Sequence, residues 1–149
     1  MSATATAGLR IGEVAKRVGT TPRTIRYYEE IGLLPAEGVR ESGRHRLYGE
    51  RDVARLREAL RLKELLGVSL DELRELLEAE ETRAALREEW HHGDPGTARR
   101  REMLSQSLRL LDRQLALVRR RRDEIAALEG ELAAKRRLVT RRLRELGAE

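Results

Sequence analysis

Four side chains that donate hydrogen bonds lie close together in the first fifth of the chain: Arg23, Thr24, Arg26 and Tyr27. An arginine guanidinium can bind N7 and O6 of guanine together or bind a phosphate, and Tyr and Thr hydroxyls can donate to phosphate oxygens. The group is therefore typical of a surface that binds nucleic acid. The alternative is a charged, solvated helix of an ordinary helical bundle.

The flanking sequence predicts two short helices joined by a tight turn. Helical spacing relates the apolar residues of the first helix, which are Ile11, Val14, Ala15 and Val18. Gly19 suits a left-handed helix end, Thr20 or Thr21 can cap the second helix, and Pro22 suits its first turn. Two helices with such a turn form a helix-turn-helix, whose second helix presents its N-terminal residues to a major groove.

Residues 39–48 predict a small β-hairpin with its turn near Ser42 and Gly43. Strand alternation places Arg44, Arg46 and Tyr48 on one face and His45 and Leu47 on the other. A basic and aromatic hairpin beside a helix-turn-helix is interpreted as a wing that lies along the DNA backbone or in the minor groove. A plain surface hairpin is the alternative.

Two further amphipathic helices are expected to support this region. The first spans Glu50 to Leu66 and ends at Gly67; its predicted inner face comprises Val53, Leu56, Leu60 and Lys63 or Leu66. The second begins at Ser69, with Glu72 completing a capping box, and its core face comprises Leu70, Leu73, Leu76 and Leu77. Arg61, on the first of these helices, is a candidate phosphate contact.

From Ala98 to Leu146 the chain has no proline, and a seven-residue repeat indicates one long coiled-coil helix. The d positions are Leu104, Leu111, Val118, Ile125, Leu132, Val139 and Leu146; the a positions are Leu108, Leu115, Arg122, Glu129, Arg136 and Leu143. A second copy of the chain is the simplest cover for this stripe, and the alternative is a helix folded back on its own domain. The like charges of residues 119–122 favour an antiparallel pair.

Composition excludes several classes of protein. The chain has 149 residues, a formal charge of +5 and no cysteine, so thiol redox chemistry and thiolate metal sites are excluded. The small, polar start does not resemble a signal peptide, and no stretch approaches the length of a membrane span, so a cytoplasmic location without membrane contact is expected. No nucleophile–base pair or phosphate-binding glycine loop is present, so neither an enzyme nor a bound metal or cofactor is predicted.

The expected organisation is a disordered arm over residues 1–8, a DNA-binding domain over 9–79, a linker or hinge over 80–97 and a dimerisation helix over 98–146. Trp90, His91 and His92 lie in the linker and are candidates for a small-molecule effector pocket. Adjacent histidines on a helix diverge by ~100°, so a shared metal ion is the weaker interpretation.

Residues 9–79 resemble the MerR family of transcriptional regulators. The resemblance rests on the segments 11–15 (IGEVA), 22–29 (PRTIRYYE), 32–34 (GLL), 46–48 (RLY) and 66–70 (LGVSL). It implies a mainly α fold, in which a winged helix-turn-helix with a small β-hairpin precedes a long helix that forms an antiparallel dimeric coiled coil. The chain departs from family members that sense metals through cysteines or carry an appended ligand-binding domain.

The resemblance also implies a homodimer that binds a palindromic operator in promoter DNA, bends and untwists that DNA, and works with RNA polymerase. By position, it adds Tyr28 to Arg23, Arg26 and Tyr27 as recognition-helix contacts, Arg44, Arg46 and Tyr48 as wing contacts, and Arg61 as a backbone contact. The alternatives are a non-specific architectural DNA-binding protein and a coiled-coil adaptor.

Overall fold

The structure, a computed structural model, describes residues 8–34, 40–41 and 45–148. Within these ranges it is mainly helical, as predicted. The elements are α1 (Ile11–Val18), α2 (Pro22–Glu30), β1 (Arg40–Glu41), β2 (His45–Arg46), α3 (Glu50–Leu66), α4 (Leu70–His92) and α5 (Thr97–Leu146). The chain divides into two compact units, residues 1–84 and 85–149.

The turn between α1 and α2 has the geometry that the sequence predicts. Gly19 ends α1 in the left-handed region at φ 74°, a conformation that costs glycine little because it has no Cβ. The N-cap of α2 is Thr21, whose Oγ1 accepts the backbone N–H of Thr24 at 3.2 Å, and Pro22 occupies the first turn. Ile25 is fully buried and Ala15 is 3% exposed, so α1 and α2 pack closely.

Two arginines bind backbone carbonyls just beyond the C-terminal end of α2. Arg55 of α3 donates from Nε to the carbonyl of Leu33 at 2.6 Å, and Arg74 of α4 donates to the carbonyl of Ile31. Arg55 also binds Glu81 through NH1 at 2.6 Å. These contacts tie the turn that follows α2 to both supporting helices.

The hairpin is antiparallel, with Arg40 opposite Arg46 and Glu41 opposite His45. The predicted turn at Ser42 and Gly43 lies outside the described residues, and so does Arg44. Beyond β2 the backbones of Leu9 and Tyr48 exchange two hydrogen bonds of 2.8 Å.

The predicted disordered arm, residues 1–8, lies outside the described residues except for Gly8. A Cβ added to Gly8 would lie only 2.5 Å from the Cβ of Leu47. Gly8 therefore lies close to Leu47 beside the hairpin, and the disordered arm stays a prediction.

The core of the first unit draws on α1, α2, α3, α4 and the loops between them. Its buried apolar residues are Val14, Ala15, Ile25, Tyr28, Leu33, Leu34, Tyr48, Val53, Leu56, Ala59, Val68, Leu73, Leu76, Leu77 and Ala79. On α3 the third buried position is Ala59, whereas Leu60 is only partly buried and Lys63 is exposed. The capping box that begins α4 is present: Ser69 N–H binds Glu72 at 2.9 Å and Glu72 N–H binds Ser69 Oγ at 3.2 Å.

The segment over residues 80–97, predicted as a linker or hinge, is helical for most of its length. Helix α4 continues to His92, and only residues 93–96 separate it from α5. The segment is polar, but it consists largely of the strong helix formers Ala, Glu, Arg and Leu, and Arg83 binds Glu80 at 2.6 Å one turn away. The polarity of this segment therefore does not interrupt its helical order.

Helix α5 runs for 50 residues, as the heptad pattern predicts. In the second unit Leu86 and Met103 are buried, at 7% and 2% exposure. None of the helices in the described ranges carries an apolar stretch of the length needed to cross a lipid bilayer.

Candidate nucleic-acid interface

The exposed surface of α2 carries two arginines whose side chains form no ion pair with any other described residue, Arg23 and Arg26. Tyr27 lies between them and the end of the helix, with 46% of its surface exposed. Residues 23, 26 and 27 share one helix face, because residues three and four apart are neighbours on a helix. This face can therefore offer two guanidinium groups and a phenol to a polyanion.

Thr24 differs from its neighbours because its hydroxyl already has a partner. Its Oγ1 lies 3.1 Å from Oγ1 of Thr21, and its backbone N–H binds the same Thr21 oxygen. Thr24 is partly buried and belongs to the cap that begins α2. Either hydroxyl can be the donor in this pair, so Thr24 can still donate to a phosphate when Thr21 supplies the proton of the pair.

Other arginines of the first unit have carboxylate partners. Arg17 of α1 binds both oxygens of Glu50 on α3, at 2.8 and 3.3 Å. Arg61 binds Glu58 at 2.7 and 3.0 Å within α3, and this hydrogen bond raises the pKa of the Arg61 guanidinium. Arg61 is exposed, so a phosphate contact there stays a prediction and would compete with Glu58.

Two tyrosines that were predicted as DNA contacts are buried. Tyr28 is 4% exposed and Tyr48 is 2% exposed, and burial raises the pKa of each phenol. The ring of Tyr28 packs beside that of Tyr27, with centroids 6.2 Å apart. Apolar packing thus takes these rings into the core, and DNA contacts by Tyr28 and Tyr48 stay predictions.

Arg46, predicted as a wing contact, is also turned inward. Its NH1 lies 3.0 Å from Glu29, its NH2 lies 3.4 Å from Asp52, and its guanidinium carbon lies 4.9 Å from the centroid of the Tyr48 ring. The Arg46 side chain is only 10% exposed. Strand alternation correctly placed Arg46 and Tyr48 on one face, but that face packs on α2 and α3 because two carboxylates there offer it partners.

The candidate effector residues lie at the C-terminal end of α4. Trp90 is 37% exposed, and the guanidinium of Arg100 lies 5.5 Å from its ring centroid. His91 and His92 are both exposed. No cluster of three metal-ligating side chains occurs in the described part of the chain, and an effector pocket here stays a prediction.

An apolar stripe runs along α5. In the single chain its members are exposed by 39% to 63%, except Leu111, which is partly buried; they are Leu104, Leu108, Leu111, Leu115, Val118, Ile125, Leu132 and Val139. Isolated exposed leucines are ordinary, whereas an apolar stripe is typical of an interaction surface. This stripe is contiguous over residues 104–118 and continues beyond them at every seventh residue.

Charge is distributed unevenly along the sequence. Residues 9–80 contain fourteen basic and fourteen acidic residues, whereas α5 contains fifteen basic and seven acidic residues, a net charge of +8. The overall positive charge therefore does not locate the interface on α2. The exposure of Arg23 and Arg26 and their lack of ion-pair partners are the local signals.

Sequence reasoning missed the polar contacts that position α2. Glu29, Asp52, Arg55 and Arg74 were not singled out, although Glu29 lies in the segment that carries the family resemblance. Apart from the contact of Asp52 with the Gly49 N–H, their partners are 6 to 43 residues away in the sequence, and no local periodicity predicts such pairs.

Comparison with known proteins connects this geometry to a family. Residues 9–80 match the family described as MerR HTH family regulatory protein. The chain is 41% identical to the HTH-type transcriptional regulator YfmP of Bacillus subtilis over 110 residues, which cover 74% of this chain and 77% of YfmP. It is 35% identical to an uncharacterised HTH-type transcriptional regulator of Pseudomonas aeruginosa over 80% of this chain and 82% of that protein.

A solved structure shows the same fold. A crystal structure from Listeria monocytogenes, assigned to the MerR family of transcriptional regulators, superposes with a TM-score of 0.53 and 27% identity, covering 85% of this chain and 82% of that chain. The sequence matches extend beyond residue 80 into the helices that follow. The chain therefore belongs to the MerR family of helix-turn-helix regulatory proteins, and it is a DNA-binding transcription regulator, not an enzyme.

Proposed function

We propose that the protein is a cytoplasmic, sequence-specific regulator that binds a palindromic promoter operator as a homodimer and changes transcription by bending and untwisting the DNA. The observation that carries the proposal is the face of α2, where Arg23, Arg26 and Tyr27 are exposed and neither arginine has an ion-pair partner among the described residues. A helix of nine residues is ~14 Å long, which suits insertion of its N-terminal half into a major groove.

Within this proposal α2 is the recognition helix. Arg23 and Arg26 supply bidentate donors for guanine edges or phosphates, and Tyr27 donates to a phosphate. The described part of the hairpin contributes little to direct contact, because Arg46 and Tyr48 are turned inward. Arg61 adds a contact to the DNA backbone when its side chain exchanges Glu58 for a phosphate.

The homodimer is supported by the stripe on α5. An apolar seam of this length is covered by a second copy in a two-stranded coiled coil. In an antiparallel pair each a position meets a d position, so Leu115 would face Leu132 of the second copy and Leu108 would face its Val139. Such a dimer carries two copies of α2, one from each subunit, which suits an inverted repeat in DNA.

The dimer is tested by sedimentation. The double variant Leu115→Glu, Leu132→Glu places carboxylates in the seam and should give a monomer in analytical ultracentrifugation. Leu138→Glu, on the same helix but off the seam, is the matched control and should remain dimeric. Retention of the dimer by the seam variant would contradict this interface.

DNA distortion is the proposed means of regulation. RNA polymerase, bound at the same promoter, is the proposed partner whose contacts with the DNA would change with that distortion. Smooth bending of an operator costs of the order of 1–6 kcal/mol, and contacts to the dimer must supply it. An effector that favours one arrangement of the dimer would tip this balance by its difference in affinity for the two arrangements. Trp90, with its partly exposed ring, is the candidate residue for such an effector.

The alternative with an observation in its favour is a non-specific DNA-binding protein, because α5 carries a net charge of +8. Non-specific binding would depend on that charge, would be similar for all duplexes and would be mostly lost in salt. A coiled-coil adaptor, the other alternative, would bind a protein through α5 and would not depend on α2.

Substitution on α2 separates the three functions. Arg23→Ala with Tyr27→Ala should abolish preference for an operator selected by the wild-type protein while leaving the dimer intact. Arg141→Gln with Arg142→Gln, on α5, is the control that removes two charges elsewhere and should leave the preference unchanged. If the α2 variant binds the operator as the wild type does and only the α5 variant fails, the proposal is wrong.

A further inference from the structure

A compact polar cluster joins the end of the proposed recognition helix to the hairpin and to the start of α3. It comprises Glu29 of α2, Arg46 of β2, Asp52 of α3, and Tyr48, which lies between β2 and α3. We call it the Glu29 cluster. Tyr48 donates its hydroxyl hydrogen bond to Glu29, and Arg46 reaches Glu29 at 3.0 Å and Asp52 at 3.4 Å. Asp52 in turn accepts the backbone N–H of Gly49 at 2.9 Å, where α3 begins.

The cluster is largely shielded from water. The side chains of Arg46, Asp52 and Glu29 are 10%, 14% and 25% exposed, and Tyr48 is 2% exposed. Hydrogen bonds to charged groups in such surroundings are stronger and more directional than on an open surface. The cluster can therefore hold three elements in one arrangement.

The position of Glu29 is unfavourable for the helix itself. Glu29 and Glu30 end α2, and no basic residue lies in its last turn. The C-terminal end of a helix carries partial negative charge, so a carboxylate there is less favourable than a lysine or arginine. Stability of α2 does not account for this carboxylate, whereas attachment of the hairpin and of α3 does.

We propose that Glu29 is a positioning residue, which fixes the hairpin and the start of α3 against the recognition helix so that DNA affinity depends on a cluster that does not contact DNA. The inference depends on the proposed role of α2 in binding DNA. It assigns Arg46 and Tyr48 to this positioning, in place of direct contact.

The salt dependence of binding distinguishes positioning from contact. Each phosphate contact that is lost lowers the slope of log affinity against log salt concentration by about 1. A positioning variant should bind more weakly with an unchanged slope, because no phosphate contact has been removed. The experiment measures dissociation constants of the full-length dimer for its selected operator at several salt concentrations.

Tyr48→Phe removes the hydroxyl but keeps the ring, and should weaken operator binding by roughly tenfold, about what one hydrogen bond to a charged group is worth. Glu29→Gln should weaken it similarly, and the double variant should weaken it less than the product of the two effects, because both remove the same contact. Arg46→Gln should weaken binding with no change in the salt slope.

Val68→Ala is the matched control for a loss of stability alone, because Val68 is buried at 5% exposure and makes no polar side-chain contact. Measured well below its unfolding temperature, it should bind the operator like the wild type. Arg23→Ala tests the proposed function separately, and should weaken binding and reduce the preference for the operator.

Two results would overturn the inference. One is unchanged operator affinity for Tyr48→Phe and Glu29→Gln while Arg23→Ala weakens binding. The other is a slope lowered by about 1 for Arg46→Gln, since this would make Arg46 a phosphate contact. If Arg23→Ala also leaves binding unchanged, the proposed function fails, and the inference that depends on it fails as well.

Discussion

Arg99 binds both carboxylate oxygens of Glu89, with Nε at 2.7 Å and NH2 at 2.8 Å, and so joins the start of α5 to the end of α4. Its NH1 also binds Glu102 one turn further along α5, at 2.9 Å. Beside this pair Arg100 lies over the ring of Trp90. Two arginines of one helix thus hold the last turns of the other.

The Glu89–Arg99 pair predicts a response to acid. The hydrogen bond from Arg99 lowers the pKa of Glu89, so the pair stabilises the folded state above the unfolded pKa of ~4.3 and this contribution is lost as pH falls through the lowered folded pKa. Trp90, the only tryptophan, lies next to Glu89 and reports on it by fluorescence.

The measurement is Trp90 fluorescence during unfolding at pH values from neutral to acid, in the wild type and in Glu89→Gln. The variant should be slightly less stable at neutral pH, and its stability should fall less on acidification. Identical pH dependence in the two proteins would contradict a folded-state role for this pair.

Removal of the Thr21 hydroxyl should cause a measurable loss of folding stability. Thr21→Ala takes away the acceptor of the Thr24 N–H and should lower the free energy of unfolding by about 1 kcal/mol, a typical value for an N-cap. Thr21→Ser retains the acceptor and should remain close to the wild type. Urea unfolding followed by circular dichroism gives both values, and equal losses in the two variants would contradict the cap.

Tyr48 predicts a response to alkali. Burial and the hydrogen bond to Glu29 raise the pKa of its phenol, so its contribution to stability is complete below the unfolded pKa of ~10 and declines as pH rises above that value. The phenylalanine of Tyr48→Phe cannot ionise, so the stability of this variant should fall less steeply than that of the wild type as pH rises above ~10. Thermal unfolding at pH 8 to 11 compares the two, with Tyr27→Phe as the exposed control that should behave like the wild type.

The antiparallel arrangement predicts the distance between two identical labels. The chain has no cysteine, so Glu145→Cys with a nitroxide label gives one spin per subunit. Pairing Leu115 with Leu132 of the second copy places the two labels roughly 65 Å apart, at a rise of about 1.5 Å per residue, whereas a parallel pair places them adjacent. Pulsed electron resonance measures the distance, and a short one would contradict the antiparallel pair.

The elements of the first unit could be predicted from the sequence because their signals are local. Gly19, Thr21 with Pro22, and the Ser69 capping box each mark a helix end by the chemistry of one or two residues. The heptad repeat likewise predicts α5 to within one residue at its start.

Whether a given polar side chain faces solvent or the protein interior could not be predicted in the same way. Arg46 and Tyr48 occupy a face that suits DNA contact by composition, yet Glu29 and Asp52 draw that face inward. The extension of α4 over residues 80–92 was missed because the segment is polar, although its residues are good helix formers. Both failures depend on contacts or propensities that an amphipathic pattern does not show.

Selection of duplexes from a random pool by the full-length protein tests the central claim most directly. We expect the enriched sequences to share an inverted repeat of two half-sites, and Arg23→Ala to remove the enrichment. Enrichment of no common sequence, or of a single half-site without a symmetric partner, would contradict a dimer that reads DNA through two copies of α2.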